Sequence, residues 1–403
     1  MSRTKKSITK QQSLTHMISL AFLSKSYDTK LIGVAISLFN KKEQRVRLLP
    51  SHVVFYYVLA LMMYPGVAAK EVLAILLENF NIGKDSYKKD IPVKSAITKS
   101  RKRLGYEPLK HIYDNKVNPI ATAKSKGSFY KRLRLVSIDG TVINLPDSKD
   151  NTEHFKKDQK LSPLPQARMV CLAESGTHIL FGAKITSVKD GEATLAKEVL
   201  KKLSKDMLCL ADRNFFGYGC WKVASQTGAS LLWRIKCNMK LPVIKRLNDG
   251  SYQSRYTYKS KDKTESFELR VVEILGKSLD STTGQMKEET YKFVTNILDP
   301  ELLPAEDFMT LYMGRWEIEN SFKELKVIMP NYGSMIRAKV PELVYQEIYA
   351  LLLVHYATRS LMHESALKVD IDVDELSFVH SFSIIKRKAR NYPIFSPEEK
   401  EKS

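Results

Sequence analysis

The sequence predicts a mixed α/β sheet that carries a β-rich insertion and is preceded and followed by helical segments. Three observations lead there. Short apolar runs of strand length alternate with amphipathic helical runs between Leu133 and Ile297. From Lys240 to Tyr291 that alternation gives way to polar strands separated by Gly/Ser/Lys turns. The chain up to about Asn115 and again from Pro341 onward reads as helix.

Taken in order, His52–Tyr64 is an apolar run that follows Ser51, a candidate N-cap, and stops at Pro65-Gly66. Lys70–Phe80 is amphipathic, with Val72, Leu73, Leu76 and Leu77 on one side. After a polar loop over Gly83–Asp90, Pro92 opens a third helix that ends at Gly105 and crowds Lys99, Arg101, Lys102 and Arg103 into a short segment. Three helices with a basic third resemble a helix-turn-helix DNA reader, which makes Lys99, Arg101 and Arg103 candidate DNA contacts. The competing reading is a solvated basic helix in a small bundle. Lys124–Lys131 is a basic linker with Gly and Ser.

Strands follow at Leu133–Ile138, which runs into Asp139-Gly140-Thr141, and at Ala167–Ala173 and Ile179–Ile185, a hairpin around Glu174–Thr177. Glu192–Leu203 is an amphipathic helix, Met207–Leu210 a buried strand leading to Ala211-Asp212-Arg213, Trp221–Thr227 a helix and Ser230–Ile235 a strand. After the insertion, Lys292–Ile297 returns as strand and Ala305–Lys326 as helix. Three strands, helix, strand, helix, strand is the order of a ribonuclease H-type sheet. The expected domains are 1–123, helical and DNA-binding; 124–335, catalytic, with the insertion at about 240–291; and 336–403, helical with a frayed PEEKEKS tail.

Composition narrows the partners. The 403 residues are 43% hydrophobic, enough for a sizeable core in two or three domains. Lys and Arg number 65 against 44 Asp and Glu, a net charge of +21 that favours a polyanion such as DNA or RNA and predicts salt-sensitive binding. Charge by itself also fits a ribosomal or membrane-surface role. Cys171, Cys209, Cys220 and Cys237 form no C-x-x-C pair, which argues against zinc and disulfides and suits a reducing cytoplasm. MSRTKKSITKQQ lacks the apolar stretch of a signal peptide, and Ile348–Val354 is too short to span a membrane.

Tyr312, Arg315, Glu319 and Lys326 stand at gaps of two, three and six residues in LYMGRWEIENSFKELK. On a continuous helix they share roughly one face, so one carboxylate is flanked by two cations and a phenol. Such a face is either a solvated set of helical ion pairs or a site where cations grip phosphate oxygens while the acid holds a metal. Asp139 and Asp212, each after a short apolar strand, favour the second reading. Strand-end carboxylates are partly desolvated and need a partner, and two aspartates with a glutamate offer hard oxygens suited to Mg²⁺ or Mn²⁺. Two such ions about 4 Å apart can activate a water or a 3′-hydroxyl. Turn or cap roles for each aspartate are the alternative. Glu317, on the opposite helix face, and Asp147 and Asp150, in a loop, are competing acids.

Asp139-Gly140-Thr141, Ala211-Asp212-Arg213-Asn214-Phe215 and the Tyr312/Arg315/Glu319/Lys326 set resemble the Asp-Asp-Glu (DDE) transposases of the insertion sequence 4 family. LPSHVVFYYVLALMMYPGVAAKEVL and SAITKSRKRLG are similar to its N-terminal domain, so the resemblance covers most of the chain. It implies a ribonuclease H-like core with a β insertion, and cut-and-paste movement of a DNA element bounded by inverted repeats. Asp139, Asp212 and Glu319 would bind two Mg²⁺ ions, with Mn²⁺ able to substitute. Tyr312, Arg315 and Lys326 would hold phosphates, and Arg234 and Lys236 would add basic contacts to DNA. The resemblance also implies a homodimer on paired DNA ends and a hairpin intermediate with a flipped base stacked on aromatic side chains. Trp316 matches one such aromatic, and Tyr291 stands where a relative carries tryptophan. Two other readings stay open: a DNA-binding descendant that no longer cuts, and a metal-dependent nuclease that does not transfer strands.

Overall fold

The computed structural model describes residues 22–43, 49–79, 92–158, 162–260, 263–279, 286–330 and 336–387. MSRTKKSITKQQ, the Gly83–Asp90 loop, the Leu77 side chain and the PEEKEKS tail lie outside the described residues. Two compact units form: one from residues 1–120, 143–167 and 322–403, the other from 121–142 and 168–321. Helical stretches from before residue 120 and from after residue 322 belong to the same unit.

The helical unit holds α1 (Thr29–Leu38), α2 (Ser51–Met63), α3 (Ala69–Asn79), α4 (Lys94–Leu104), α5 (Glu107–Lys116) and α6 (Lys149–Phe155). α11 (Pro341–Val369) and α12 (Phe378–Arg387) complete it. α2 is apolar all round because it is buried all round, and the apolar middle of α11 lies against it and α5. Pro50 caps α2, and Ser51, one position inside, donates its hydroxyl to the Lys41 carbonyl at 2.8 Å. Among the described residues no helix is long and apolar enough to cross a membrane.

α4 is where expectation and structure part. Arg101 donates to Gln346 at 2.9 Å and to the fully buried Glu347 at 2.8 Å, both on α11. Arg103 reaches the Leu49 carbonyl at 2.5 Å and Glu43 at 3.4 Å. These two cations hold the helical unit together, whereas Lys94, Lys99 and Lys102 are exposed. A row of like charges at close spacing cannot show which members meet an acid from a helix far along the chain.

The second unit is built on one sheet in the order β4-β3-β2-β5-β6-β10-β9-β8-β7, with β1 beside β2. Its strands are β1 (Phe129–Tyr130), β2 (Leu133–Asn144), β3 (Gln166–Glu174), β4 (Leu180–Ser187), β5 (Met207–Ala211) and β6 (Ser230–Ile235). β7 (Lys245–Arg246), β8 (Tyr252–Ser260), β9 (Lys263–Leu279) and β10 (Met286–Thr295) follow. α7 (Glu192–Leu200) and α8 (Tyr218–Gln226) link β4 to β5 and β5 to β6, as parallel neighbours require. The first five strands in space are the ribonuclease H-like arrangement. The insertion is no separate body: β10 pairs with β9 along its length and with β6 through Lys292–Thr295, so the sheet continues through it. On one face Leu135, Leu208, Leu232, Phe293 and Phe308 form the core.

Glu347 gives a test of the helical unit. Besides Arg101 it accepts the Arg337 and Ala338 backbone N–H groups at 2.7 and 3.1 Å. Glu347→Ala leaves a buried guanidinium and two amides without their acceptor, and should destabilise the protein by about 3 kcal/mol. Urea unfolding checks it; an unchanged midpoint would show that this network is dispensable.

Candidate active site

Strand pairing brings two acids together. β2 and β5 are parallel with Ile138 opposite Ala211, so the next residues, Asp139 and Asp212, emerge side by side. β5 stops there, but β2 runs on to Asn144, which makes Asp139 a mid-strand residue and not a strand end. The continuation is held from the other side, where Gln166 at the start of β3 donates to the Asn144 side chain at 2.8 Å. Asp139 thus lies beside an edge that β5 has vacated.

The third acid arrives on a broken helix. The continuous helix expected over Ala305–Lys326 is instead α9 (Asp307–Met313), α10 (Trp316–Lys323) and a π-helical turn over Glu324–Ile328. At Gly314-Arg315 the backbone tightens: Gly314 N–H donates to the Leu311 carbonyl at 3.1 Å and Arg315 N–H to that of Tyr312 at 3.0 Å. Tyr312 therefore lies in the last turn of one helix while Arg315 precedes the next.

The break lets two neighbouring side chains reach all three acids. Tyr312 donates its hydroxyl to Asp212 Oδ1 at 3.0 Å. Arg315 bridges the other two, from Nη1 to Asp139 Oδ2 at 3.1 Å and from Nη2 to Glu319 Oε1 at 3.0 Å. Arg315 is only 7% exposed, and its Nε is buried without a hydrogen-bond partner. Burial works against its charge, but the Tyr312 hydroxyl and the Asp139 and Glu319 carboxylates outweigh it and raise its pKa. Burial and Asp212 push the Tyr312 phenol up as well.

Asp139 is held at about 6 from its ordinary value of 3.8, chiefly by burial. The Gly140 N–H, 2.7 Å from Oδ1, and Arg315 pull it down, while Glu192 and Glu319 push it up. Glu192, the first residue of α7, belongs to the same cluster and was not found by reading the sequence. Its carboxyl is raised by burial and by Asp212, against the pull of Arg168.

The three acids supply the hard oxygens that a Mg²⁺-type ion takes, and a buried guanidinium already bridges two of them, so a cation suits this rim. They are nevertheless held apart: among the described residues no three acidic, His or Cys side chains are close enough to ligate one ion. The competing acids are engaged elsewhere. Glu317 accepts the Gly176 N–H at 2.6 Å, Asp147 pairs with Lys157 at 3.0 Å, and Asp150 is exposed in the first turn of α6.

The remaining candidates divide. Arg234 on β6 is paired with Glu289 and lies over the Tyr291 ring at 4.3 Å. Tyr291 is 7% exposed and belongs to the core with Phe293 and Tyr312. A Cβ on Gly276 would come within 3.0 Å of its ring, so glycine makes room for it. In this structure Tyr291 offers no open stacking face. Trp316 does: it is 54% exposed, with the Arg315 guanidinium 5.7 Å from its ring. Lys236 is exposed just past β6. Lys326 falls in the π-helical turn, so it is not a simple α-helical continuation of Glu319. Lys99, Arg101 and Arg103 belong to the helical unit.

The Asp139 carboxyl predicts a pH dependence. Its folded-state pKa lies above its unfolded one, so the stability it contributes is full below about pH 4 and is lost as pH rises through 6. Asp139→Asn escapes that loss. In buffer free of divalent ions, the variant's stability relative to wild type should climb between pH 4 and 7, by about 3 kcal/mol at most. Urea titrations at several pH values read this directly; a flat difference would contradict the raised pKa.

With this geometry described, comparison with known proteins places the chain. A family model described as the transposase DDE domain matches residues 130–356, and one described as the insertion element 4 transposase N-terminal matches residues 17–114. The transposase InsG for insertion sequence element IS4 of Escherichia coli is 26% identical over 301 residues, covering 73% of this chain and 66% of its own. The putative transposase InsZ of the same organism is 22% identical over 172 residues, covering 41% of this chain and 58% of its own. The matches therefore span just under two thirds of the length of these relatives, or less. A solved piggyBac transposase synaptic complex with hairpin DNA aligns over 91% of this chain and 79% of its own, at 9% identity and a TM-score of 0.47. Since the transposase DDE domain occupies more than half of the sequence, this chain belongs to the insertion sequence 4 family of DDE transposases.

Proposed function

We propose that the protein moves a DNA element by metal-dependent strand cleavage and strand transfer at the element's terminal inverted repeats. One observation carries this reading: Tyr312 and Arg315 tie Asp139, Asp212 and Glu319 into a single cluster. Asp139, Asp212 and Glu319 would hold the divalent cations, Mg²⁺ with Mn²⁺ as substitute, two per site. Bound there, the ions would activate the attacking oxygen and stabilise the leaving one.

The chain's own residues have the following work. Arg315 is occupied by two carboxylates, so binding DNA requires it to release them and take a phosphate oxygen in exchange. A fork-shaped guanidinium suits that substitution because carboxylate and phosphate present similar pairs of oxygens. Tyr312 keeps Asp212 oriented while its own ring is fixed in the core. Arg234, Lys236 and Lys326 add phosphate contacts, with Arg234 leaving Glu289 to do so. In the helical unit Lys99 and Lys102, exposed on α4, are the members of the basic row available to the terminal repeat, since Arg101 and Arg103 are engaged internally. The working assembly is a homodimer on two element ends and target DNA.

Water attack at the element end releases a 3′-hydroxyl, which then attacks the opposite strand and closes a hairpin on that end. The bend this imposes needs a surface for an unstacked base. Trp316 supplies it, given its exposure and its place between Arg315 and Glu319; stacking of this kind is worth about 1–3 kcal/mol per base.

Three outcomes test the reading. Glu319→Ala should abolish Mg²⁺-dependent nicking of an end fragment while gel-shift affinity for that end stays within about threefold; persistent nicking would remove Glu319 from the catalytic set. Trp316→Ala should cut hairpin yield at least tenfold with first-strand nicking nearly intact, the factor that about 1.4 kcal/mol of lost stacking produces. Equal losses in both steps would exclude a stacking role. Lys99→Ala should lower the salt slope of end binding by about one ion, and an unchanged slope would place the terminal contact elsewhere.

A further inference from the structure

α10 carries two glutamates on nearly opposite faces. Glu319 pairs with Arg315, whereas Glu317 accepts the N–H of Gly176, in the turn between β3 and β4, at 2.6 Å. One turn further along α10, the Ser321 hydroxyl bonds the Glu317 carbonyl at 3.0 Å and the His178 carbonyl at 3.3 Å. His178 Nε2 stands 3.7 Å from the Glu317 carboxylate. The β3–β4 turn therefore meets α10 at two levels, one helical turn apart.

That turn is firmly built. Gly176 (φ +76°) and His178 (φ +60°) both adopt the left-handed conformation. A Cβ on Gly176 would clash with the Ser128 hydroxyl and stand 2.6 Å from the Lys126 carbonyl oxygen, so only glycine fits. Wholly buried Glu174 accepts the Thr177 hydroxyl at 2.5 Å, and the His178 N–H closes onto the Glu174 carbonyl at 3.0 Å. The Ser175 N–H donates to the carbonyl of Leu135 at 3.0 Å. Leu135 lies on β2, the strand that carries Asp139. Hydrogen bonds thus run from β2 through the turn to Glu317, and so to α10.

The side facing the acids is held differently. Among the described residues the Glu319 carboxylate has one hydrogen-bond partner, Arg315. That bond joins α10 to its own lead-in residue, so it relates the helix to the sheet only through the other arm of Arg315, on Asp139. If Arg315 gives up both carboxylates for a phosphate, this link is lost. Tyr312 does not replace it, because its bond to Asp212 comes from α9, across the break at Gly314-Arg315. Buried Ile318 keeps α10 packed, but apolar contact is non-directional and does not set the position of a helix along its axis.

We propose that Glu317 is a positioning residue for strand cleavage: through Gly176 it fixes the setting of α10, so that Glu319 keeps its place when Arg315 turns to the DNA. This rests on reading Glu319 as catalytic and Arg315 as exchanging its partners. A Glu317 that merely anchored the β3–β4 turn would leave α10 unaffected by its loss.

Hydrogen exchange of the full-length protein, without DNA or divalent ions, reads the setting of α10 apart from activity. In Arg315→Met, exchange across residues 316–323 should stay within about threefold of wild type, because the contact through Gly176 persists. Adding Glu317→Ala should accelerate it by about tenfold or more. Acceleration already complete in Arg315→Met, or none in the double variant, would overturn the proposal. Nicking of an end fragment at saturating Mg²⁺ is the second arm. Glu317→Ala should slow it by about tenfold or more, with end affinity held within about threefold. Glu317→Gln, whose amide oxygen still accepts the Gly176 N–H, should restore most of the rate; a loss as large as that of Glu317→Ala would count against positioning. Unslowed nicking in Glu317→Ala beside an inactive Glu319→Ala would refute the role of Glu317 and leave that of Glu319. Nicking that survives in Glu319→Ala would instead remove the reading on which the proposal rests. Equal losses of rate and affinity would make Glu317 a general structural residue and refute it too.

Discussion

Arg315 is the residue on which the arrangement of this site depends. A guanidinium almost removed from water needs compensating partners, and it finds them in Asp139 on a strand and Glu319 on its own helix. Tyr312, just before it, does the same for Asp212. These bonds fix the relative positions of three acids that the chain keeps far apart. If these acids hold a metal ion, as proposed, a bridging arginine and that ion would compete for the same oxygens. On the proposed reading, a phosphate would offer Arg315 an equivalent pair of acceptors and so free the two carboxylates.

The scaffold converts strand register into that placement. Parallel pairing of β2 with β5 makes Asp139 and Asp212 neighbours through backbone register. Termination of β5 one residue earlier than Asp212, with β2 continuing, opens the edge on which both carboxyls lie. The tight step at Gly314-Arg315 turns what would be one helix into two, so that Tyr312 and Arg315 address different acids. Continuation of the sheet through β10 and β9 packs Tyr291 and Phe293 behind Tyr312 and holds the phenol in place.

Much of this was legible in the sequence, and the parts that were not share a cause. Strands ending in Asp139-Gly140 and Ala211-Asp212 follow from local apolar runs, and their parallel pairing follows from the helices between them. Pairing decided by distant residues was invisible. Arg101 and Arg103 look like neighbours of Lys99 in a basic row, yet acceptors on α11 and near α2 withdraw them from solvent. Tyr291 looks available until Gly276, Phe293 and Arg234 are seen around its ring. Glu192 resembles any acidic residue at a helix start, and its place near Asp139 and Asp212 depends on how α7 packs against the sheet. The break before α10 had a hint in Gly314, but glycine inside a helical pattern is compatible with a continuous helix.

The central claim is spatial: Asp139, Asp212 and Glu319 serve one ion-binding centre. Iron-directed backbone cleavage measures this most directly, with Fe²⁺ replacing Mg²⁺ on the protein bound to an element end and peroxide generating radicals at the ion. The account predicts cuts at three separated stretches, around residues 139, 212 and 319, all suppressed by excess Mg²⁺. Cuts confined to one or two of these stretches, or insensitive to Mg²⁺, would contradict it.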